Sequence, residues 1–375
     1  MDLFNAVVLI PSLHPDHLLT DYVKDLVAKG FRRVVVVDDG SGPDYADIFS
    51  SLKVHPQCDV IGYAVNSGKG HALKYGMRYI QERYPGAAGI ITADSDGQHT
   101  TPDVIKVSEC LLSCPDDLII GSRDFKTDNV PLKNWMGNRL TSIFFALLYG
   151  KWLPDTQTGL RGFSMNLVPF MLSVPGDRFE YEMNMLIIAS SHHIKFRTVT
   201  IQTIYIEQNR RTHFRPFHDS ARIYIQLFKN FLKYASSSGL STIIDIAVFT
   251  LFDKWLLPLS GLDPSMSILG GLVTLGVLIS NGLARLSSSA FNYKANKSFV
   301  FRVEESKGSF LRYVNLAVCV WAVSSTLISL LHGWLKWDKT LLKTFVDMML
   351  FFVNYRLQRA WVFANKHHRK DISHD

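Results

Sequence analysis

Three side chains within five residues could do chemistry together, Asp94, Asp96 and Gln98, with His99 just beyond, in "TADSDGQH" (92–99), directly after the apolar run "AAGII". In an extended strand, carboxylates two residues apart point to the same side. Like charges held that close repel each other unless a cation lies between them. Two carboxylates with an amide nearby suit a hard divalent ion that also bridges to phosphate oxygens. Two further carboxylates, Asp38 and Asp39 in "VDDGS" (37–41), can accept hydrogen bonds from ring N–H groups and sugar hydroxyls. Lys69 sits in "NSGKGHA" (66–72), a Gly-rich turn entering a helix, where free backbone N–H groups and an ammonium suit a diphosphate. The turn is not a G-x-x-x-x-G-K-[ST] loop, because Gly62 is one residue too far from Gly68-Lys69 and Gly70 stands at the hydroxyl position.

These residues need a frame that brings them together. Strand-like runs at 5–11, 32–41, 58–65, 89–94 and 117–123 alternate with helical patterns such as 16–29 and 69–83. Apolar, β-branched runs separated by helices predict a mostly parallel sheet covered on both faces. Ligands bind such sheets beyond the C-terminal ends of the strands. There stand Pro11 (with His14 and Asp16 close behind), Asp38-Asp39-Gly40-Ser41, Asp94-Ser95-Asp96 and Ser122-Arg123-Asp124. Asp, Gly and Ser are ordinary turn residues, so any one of these ends also reads as a plain β–α turn. Four on one rim point to a nucleotide-sugar site: Asp38 and Asp39 for the base or ribose, Lys69 for the diphosphate, and Asp96 with Asp94 and Gln98 for the cation. Such a cation neutralises charge on the departing nucleoside diphosphate.

Over residues 1–235 the chain resembles the family 2 glycosyltransferases of GT-A fold, in the branch that charges polyprenyl phosphates, such as dolichol-phosphate mannose synthase. The resemblance is carried by "VDDGS", "NSGKGHAL" (66–73), "ADSDGQH" (93–99), "GSRDF" (121–125), "DTQTGLRGFS" (155–164) and "FEYEMNML" (179–186), in the family's order. It implies Asp94, Asp96 and Gln98 as ligands of Mg2+ or Mn2+, with Asp94 and Ser95 near the nucleotide sugar. It also implies that Arg123 and Arg161 face phosphates, that Asp155 belongs with them in catalysis, and that Pro11 borders the donor. "QNRRTHFRP" (208–216) stands where the family has a mobile basic loop, which makes Arg211, His213 and Arg215 candidates. The first strand departs from the family's P-x-x-N-E-E: "PSLHPD" (11–16) has His14, Pro15 and Asp16 there. A polyprenyl phosphate acceptor is already anionic near neutral pH, its second pKa being about 6, so it calls for cations rather than a strong base.

The composition places this domain at a membrane. The 375 residues are 47% hydrophobic with mean hydropathy +0.09, and the apolar weight falls mostly after residue 236. Net charge is +7. In this setting that reads as Lys and Arg near headgroups rather than as a nucleic-acid footprint. The four cysteines, Cys58, Cys110, Cys114 and Cys319, form no zinc set or disulfide framework, which predicts a reducing compartment. The start "MDLFNAVVLIPSL" lacks a basic leader and reads as a first strand. "NRLTSIFFALLYGKWL" (138–153) is a very apolar helix, read equally as core or as lying at the membrane. Residues 218–234, apolar on one face with Arg222, Lys229 and Lys233, suit an interfacial helix.

Four hydrophobic segments follow, at 238–258, 265–284, 313–335 and 340–356. Asp245 and Asp347 interrupt two of them and are functional candidates on cost alone. "FNYKANKSFVF" (291–301) aligns with "VNYRLQRAWVF" (353–363), each after a pair of predicted spans. Basic residues concentrate on the motif side (Arg285, Lys294, Lys297, Arg302, Lys307, Arg312, Arg356, Arg359, Lys366, Arg369, Lys370), against Lys254, Lys336, Lys339 and Lys343 opposite. The positive-inside rule then puts both termini and the first domain in the cytoplasm, at the cell (inner) membrane. These spans and the N-Y-[KR]…[FW]-V-F motif resemble the GtrA family, which implies an anchor and a second task in moving lipid-linked sugar across the bilayer.

The expectation is therefore an α/β GT-A domain over 1–217, an interfacial helix over 218–236, an all-α transmembrane domain of about four helices over 237–366 (repeats 238–301 and 311–363), and a polar tail. The resemblance implies an inverting, metal-dependent transfer of a hexose from a nucleotide sugar, UDP-hexose before GDP-mannose, to undecaprenyl phosphate. The partners are the donor, the lipid acceptor and membrane lipids, with no nucleic acid; self-association is left open. A lipid-linked-sugar transporter with a nucleotide-binding regulatory domain is the alternative. A processive synthase would need Q-x-x-R-W, which "LQRAW" (357–361) does not supply.

Overall fold

The computed structural model describes residues 4–125, 132–202, 216–259, 263, 267–268, 273–301, 308–337 and 339–363. The chain divides into two compact units, Met1–Leu227 and Phe228–Asp375.

The first unit is built on a seven-stranded sheet. In chain order the strands are β1 (Ala6–Ser12), β2 (Val34–Asp39), β3 (Cys58–Tyr63), β4 (Gly89–Thr92), β5 (Leu118–Arg123), β6 (Arg161–Ser164) and β7 (Phe196–Ile201), ordered β3-β2-β1-β4-β6-β5-β7. Helices α1 (His17–Ala28), α2 (Ala46–Leu52), α3 (Lys69–Arg83), α4 (Thr101–Ser113), α5 (Leu132–Tyr149), α6 (Val168–Ser173) and α7 (Glu180–Ser191) connect them. Val34 to Val37 are fully buried, as are all seven residues of β1, which is why both read as continuous apolar runs. β1 pairs in parallel with β2 on one side and β4 on the other, so the strand order reverses beside it. That reversal opens a crevice at the C-terminal strand ends. β6 runs antiparallel between β4 and β5, with Thr92 opposite Arg161. Its first residue therefore lies at the same rim as the last residues of its neighbours.

One expectation fails locally. β4 ends at Thr92, so Asp94 and Asp96 are not alternate residues of a strand. They lie in the turn after it, which Gly97 continues at φ 77.

The second unit is helical. The expected interfacial helix and first span form one helix, α8 (Pro216–Leu251), of 36 residues. At 1.5 Å per residue it is about 54 Å long. It begins in the first unit and continues through a π-helical turn, Phe252–Leu256, into the short α9 (Leu257–Leu259). The segment at 265–284 is not one helix: β8 (Ser267–Ile268) pairs antiparallel with β9 (Val273–Thr274), and α10 (Leu275–Ala295) starts only there. The all-α expectation therefore misses one two-stranded turn. α11 (Ser309–Leu335) and α12 (Lys339–Leu357) complete the unit. Among the described residues, Ala221–Leu256 is the helix long and apolar enough to cross a membrane, and Ser309–Val320 is a shorter apolar stretch.

Both copies of the sequence repeat end a helix in the same way. α10 passes into a π-helical turn at Asn296–Val300, and α12 into one at Gln358–Val362. Asp245 is partnered within the unit by Arg285 (3.7 Å) and by the Ser288 hydroxyl (2.9 Å). Arg285 lies within α10. Asp347's side chain lies outside the described residues.

Candidate active site

The rim is assembled from backbone turns that carboxylates tie down. Asp39, buried, accepts from the Tyr63 hydroxyl (2.7 Å) and from the backbone N–H groups of Ser67 (2.8 Å) and Gly68. It therefore fixes the entry to α3. Gly68 is at φ 103, and a Cβ there would lie 2.5 Å from the Asp177 carbonyl, so only glycine fits. Asp38 is the less buried of the two and accepts from the Ser41 N–H at 2.8 Å. The Ser41 hydroxyl in turn accepts from the His14 N–H at 2.9 Å. His14 is exposed, left-handed at φ 51, and stacked on Tyr45 with centroids 4.9 Å apart. Asp16, where the family pattern has an acidic residue, caps α1 by accepting from Leu18 N–H. Pro11 is buried in β1 opposite Val37.

Next to these, the Lys69 ammonium bridges Asp94 (2.7 Å) and Glu182 (3.1 Å). Burial opposes its charge, but the two carboxylates outweigh it and raise the Lys69 pKa. Burial alone would raise the Asp94 carboxyl; Lys69, His99 and Arg123 hold it at about 2. Asp94 is held from three sides. Its N–H donates to Nδ1 of buried His99 at 3.0 Å, so a neutral His99 carries its proton on Nε2, and burial lowers its pKa. Behind its carboxylate is Gly159, where a Cβ would lie 2.5 Å from both oxygens. Asp96 differs: burial, then the Asp94 charge, push its carboxyl up to about 6. The Gln98 N–H donates to Asp96 Oδ1 at 3.2 Å.

Arg123 forms a two-point pair with fully buried Asp155, Nε to Oδ2 at 2.6 Å and Nη2 to Oδ1 at 3.0 Å. The Gln157 N–H also donates to Asp155. Arg161 does not line the open rim. It is 1% exposed and donates to the carbonyls of Thr158 (3.2 Å) and Glu182 (2.6 Å). Its Nη2 is buried with no partner among the described residues, and burial lowers its pKa. Arg211, His213 and Arg215 lie outside the described residues.

Comparison with known proteins decides the family. Residues 7–170 match Glycosyl transferase family 2, and residues 233–363 match the GtrA/DPMS transmembrane domain. An uncharacterised protein of Methanocaldococcus jannaschii is 33% identical over 204 residues, covering 53% of this chain and 82% of that protein. The chain belongs to glycosyl transferase family 2. Two relatives have named activities. A UDP-N-acetylglucosamine–dolichyl-phosphate N-acetylglucosaminyltransferase of Methanococcus voltae is 28% identical (53% of this chain, 86% of that one). Glycosyltransferase AglJ of Haloferax volcanii is 25% identical (63% and 76%). This glycosyltransferase is a membrane protein, its sheet domain followed by the GtrA/DPMS domain.

The family commonly uses divalent metals, and the residues of this glycosyltransferase fit one. Among the described residues no three His, Cys, Asp or Glu side chains gather as a complete cage. Magnesium needs none, since one or two carboxylates plus substrate phosphates and water suffice. Asp96, with its raised pKa, is the carboxylate a cation would relieve. Asp94, shared with Lys69, and Gln98 stand beside it.

Sequence reasoning assigned no role to three residues of this site. Glu182 was visible only as the second glutamate of "FEYE". Glu180 turns back to accept from the Asp177 and Arg178 N–H groups, and Glu182 is left for Lys69. His99 and Gly159 sit inside recognised motifs, but their contacts span five and sixty-five residues of chain, which no local pattern displays. The apolar helix α5 has one face in the core and one face exposed. Asn138, Thr141, Phe145 and Leu148 are buried, while Met136, Leu140, Ile143 and Leu147 form an exposed apolar stripe at helical spacing. Trp152 is exposed beside this helix, under the Arg139 guanidinium at 4.7 Å.

Proposed function

We propose that the protein transfers a hexose, with inversion, from a nucleotide sugar to a polyprenyl phosphate such as undecaprenyl phosphate. The observation that carries this reading is the charge arrangement at the rim: one carboxylate neutralised by Lys69, the next pushed toward its acid form, and a guanidinium pinned by Asp155. Asp38 serves the base or ribose, with Pro11 and the His14–Tyr45 stack bordering it. Asp39 acts by holding the α3 entry, whose N–H groups and Lys69 meet the diphosphate. Asp94, Asp96 and Gln98 would hold Mg2+ or Mn2+, which would neutralise charge on the leaving diphosphate, and Ser95 borders the nucleotide sugar. Arg123 orients the acceptor phosphate for in-line attack on the anomeric carbon, and Asp155 keeps that guanidinium in one rotamer. Arg161 supports Glu182 from behind, and Arg211 and Arg215 are assigned to the nucleotide sugar on the sequence resemblance alone. An acceptor already anionic needs no strong base, so a cluster of cations and a metal is sufficient.

UDP-hexose is the first donor to test, because the M. voltae relative's name specifies a UDP sugar. The exposed stripe of α5 supports an acceptor that arrives in a lipid phase. The GtrA/DPMS domain anchors the enzyme, with the catalytic domain and both termini on the cytoplasmic side of the cell membrane. Movement of the lipid-linked sugar is its second task. Cysteine labelling that found 291–301 outside the cell would overturn that topology.

The test is purified protein with undecaprenyl phosphate, magnesium or manganese, and a panel of nucleotide sugars, following labelled sugar into the organic phase. One donor is expected to transfer. Asp96→Asn is expected to lose about 10³-fold or more, three factors of ten being about 4 kcal/mol of transition-state stabilisation, with its thermal unfolding unchanged. Near-normal turnover in that variant would sink the metal assignment.

A further inference from the structure

The two repeat copies of the second unit stand in matching surroundings. Motif positions correspond at an offset of 62 residues (292 to 354), and positions on the preceding helices at 79 (231 to 310). The 17-residue difference is the extra chain around β8 and β9. Under this correspondence the contacts come in pairs. Phe231 meets Tyr355 edge-on at 5.4 Å, and Phe310 meets Tyr293 edge-on at 5.4 Å. Tyr355 packs on Phe301 at 5.9 Å and Tyr293 on Phe363 at 5.7 Å. Asn354 donates to the Tyr234 hydroxyl at 2.9 Å, and the Tyr313 hydroxyl donates to Asn292 at 3.0 Å. Residues equivalent to each other meet at the centre: Asn296 donates to Gln358 at 2.9 Å, and Phe301 stacks on Phe363 at 5.2 Å. Each half therefore completes the other about a two-fold axis, the arrangement of parallel repeats in a membrane.

At the outer side of each motif the same chemistry recurs. In the first copy Lys294 is exposed, Lys297 half-buried, Phe299 exposed, and Lys233 lies over the Phe299 ring at 5.1 Å. In the second copy Arg356 is exposed, Arg359 half-buried, Trp361 exposed, and Arg312, the counterpart of Lys233, donates to the Trp361 carbonyl at 2.7 Å. Two basic residues three apart on one helix repel each other, and no described acidic residue pairs with Lys294, Lys297 or Arg356. The π-helical turns widen the backbone at both places, a feature that clusters at functional sites. An exposed aromatic beside two or three cations at the end of a membrane helix is suited to one ligand class, an anionic headgroup at the interface.

We propose that the two motifs are equivalent sites, each binding the phosphate of one lipid headgroup, two per chain. The proposal rests on the membrane domain and not on the transfer reaction, so it stands or falls separately from it. The test is native mass spectrometry of the full chain in micelles, with phosphatidylglycerol and undecaprenyl phosphate in separate titrations and phosphatidylcholine as the uncharged-balance control. Two retained anionic lipids are expected. Lys294→Ala with Lys297→Ala should leave one, Arg356→Ala with Arg359→Ala should leave one, and all four together none. Lys336→Ala, at the other end of α11, should leave two. Equal retention of both anionic lipids assigns the sites to anionic phosphate lipids in general; selective retention of undecaprenyl phosphate assigns them to the acceptor lipid. Stoichiometry that no motif pair changes, or equal retention of phosphatidylcholine, overturns the proposal. So does a loss on Lys336→Ala as large as that of a motif pair.

Discussion

The rim of the sheet domain and the motif end of the helical unit use polar side chains in opposite ways. At the rim each charged group has one place and no substitute: Asp94 alone is set by Lys69, His99 and Gly159. In the helical unit the contacts that tie the two motifs together recur in pairs, with partners 62 or 79 residues away. A site that must distinguish one leaving group from one nucleophile is necessarily asymmetric. An assembly of two copies repeats its solutions. The difference teaches where single substitutions should act: on turnover at the rim, and by halves or through stability in the helical unit.

The strongest way to test that contrast after Asp96 itself is a residue with no functional group. Gly159→Ala puts a methyl 2.5 Å from both Asp94 oxygens, and the carboxylate must move. A misplacement of about 1 Å near reacting groups costs on the order of 10²-fold in rate. Transfer should fall by about that factor while unfolding changes little. Gly137→Ala on α5, where nothing lies within 4 Å, should retain activity and gain up to about 1 kcal/mol of stability. If Gly159→Ala transfers normally, Asp94 is not held as tightly as its contacts indicate.

How much of this was legible beforehand follows from the range of each contact. The sheet was readable because Val34–Val37 and the β1 run are buried on both faces and need no partner to be recognised. The rim was readable because turn residues with charge stand after strands. The Asp94–Asp96 geometry was misread, since the strand stops two residues early and the turn, not the pleat, sets their directions. The burial of Arg161 was hidden: its partners include the backbone of Glu182, and a carbonyl has no sequence signature. In the helical unit the repeat was legible as spelling. What spelling could not display is that Asn296 and Gln358, the same position in two copies, bond to each other.

A moderate effect is expected at Glu182. Glu182→Gln leaves Lys69 with Asp94 as its one carboxylate partner, so the ammonium is held from one side and Asp94 is bound more closely in competition with substrate. The expected outcome is about a tenfold loss in kcat/KM, carried mainly by KM for the nucleotide sugar, because Lys69 is read as a diphosphate contact. Measured against Asp96→Asn, it separates holding the donor from chemistry. A loss confined to kcat would instead place Glu182 beside the reacting atoms.

The smallest effect on turnover should come from the centre of the repeat. Asn296→Ala removes the donor that serves both Asn292 and Gln358, two buried acceptors. Gln358→Ala removes the opposite end of the same bond. An unsatisfied buried polar group costs about 1–3 kcal/mol, so each variant should unfold more readily in mixed micelles by roughly that amount. Because the two side chains are bonded, the double variant should cost less than the sum, with a coupling of about 1 kcal/mol. Transfer at saturating substrate should change by less than about twofold, since neither residue belongs to the unit that carries the rim. A coupling near zero would mean that the halves do not meet through this bond. A large loss of turnover with stability intact would break the contrast itself, because the helical unit would then be acting on the chemistry and not only on its own assembly.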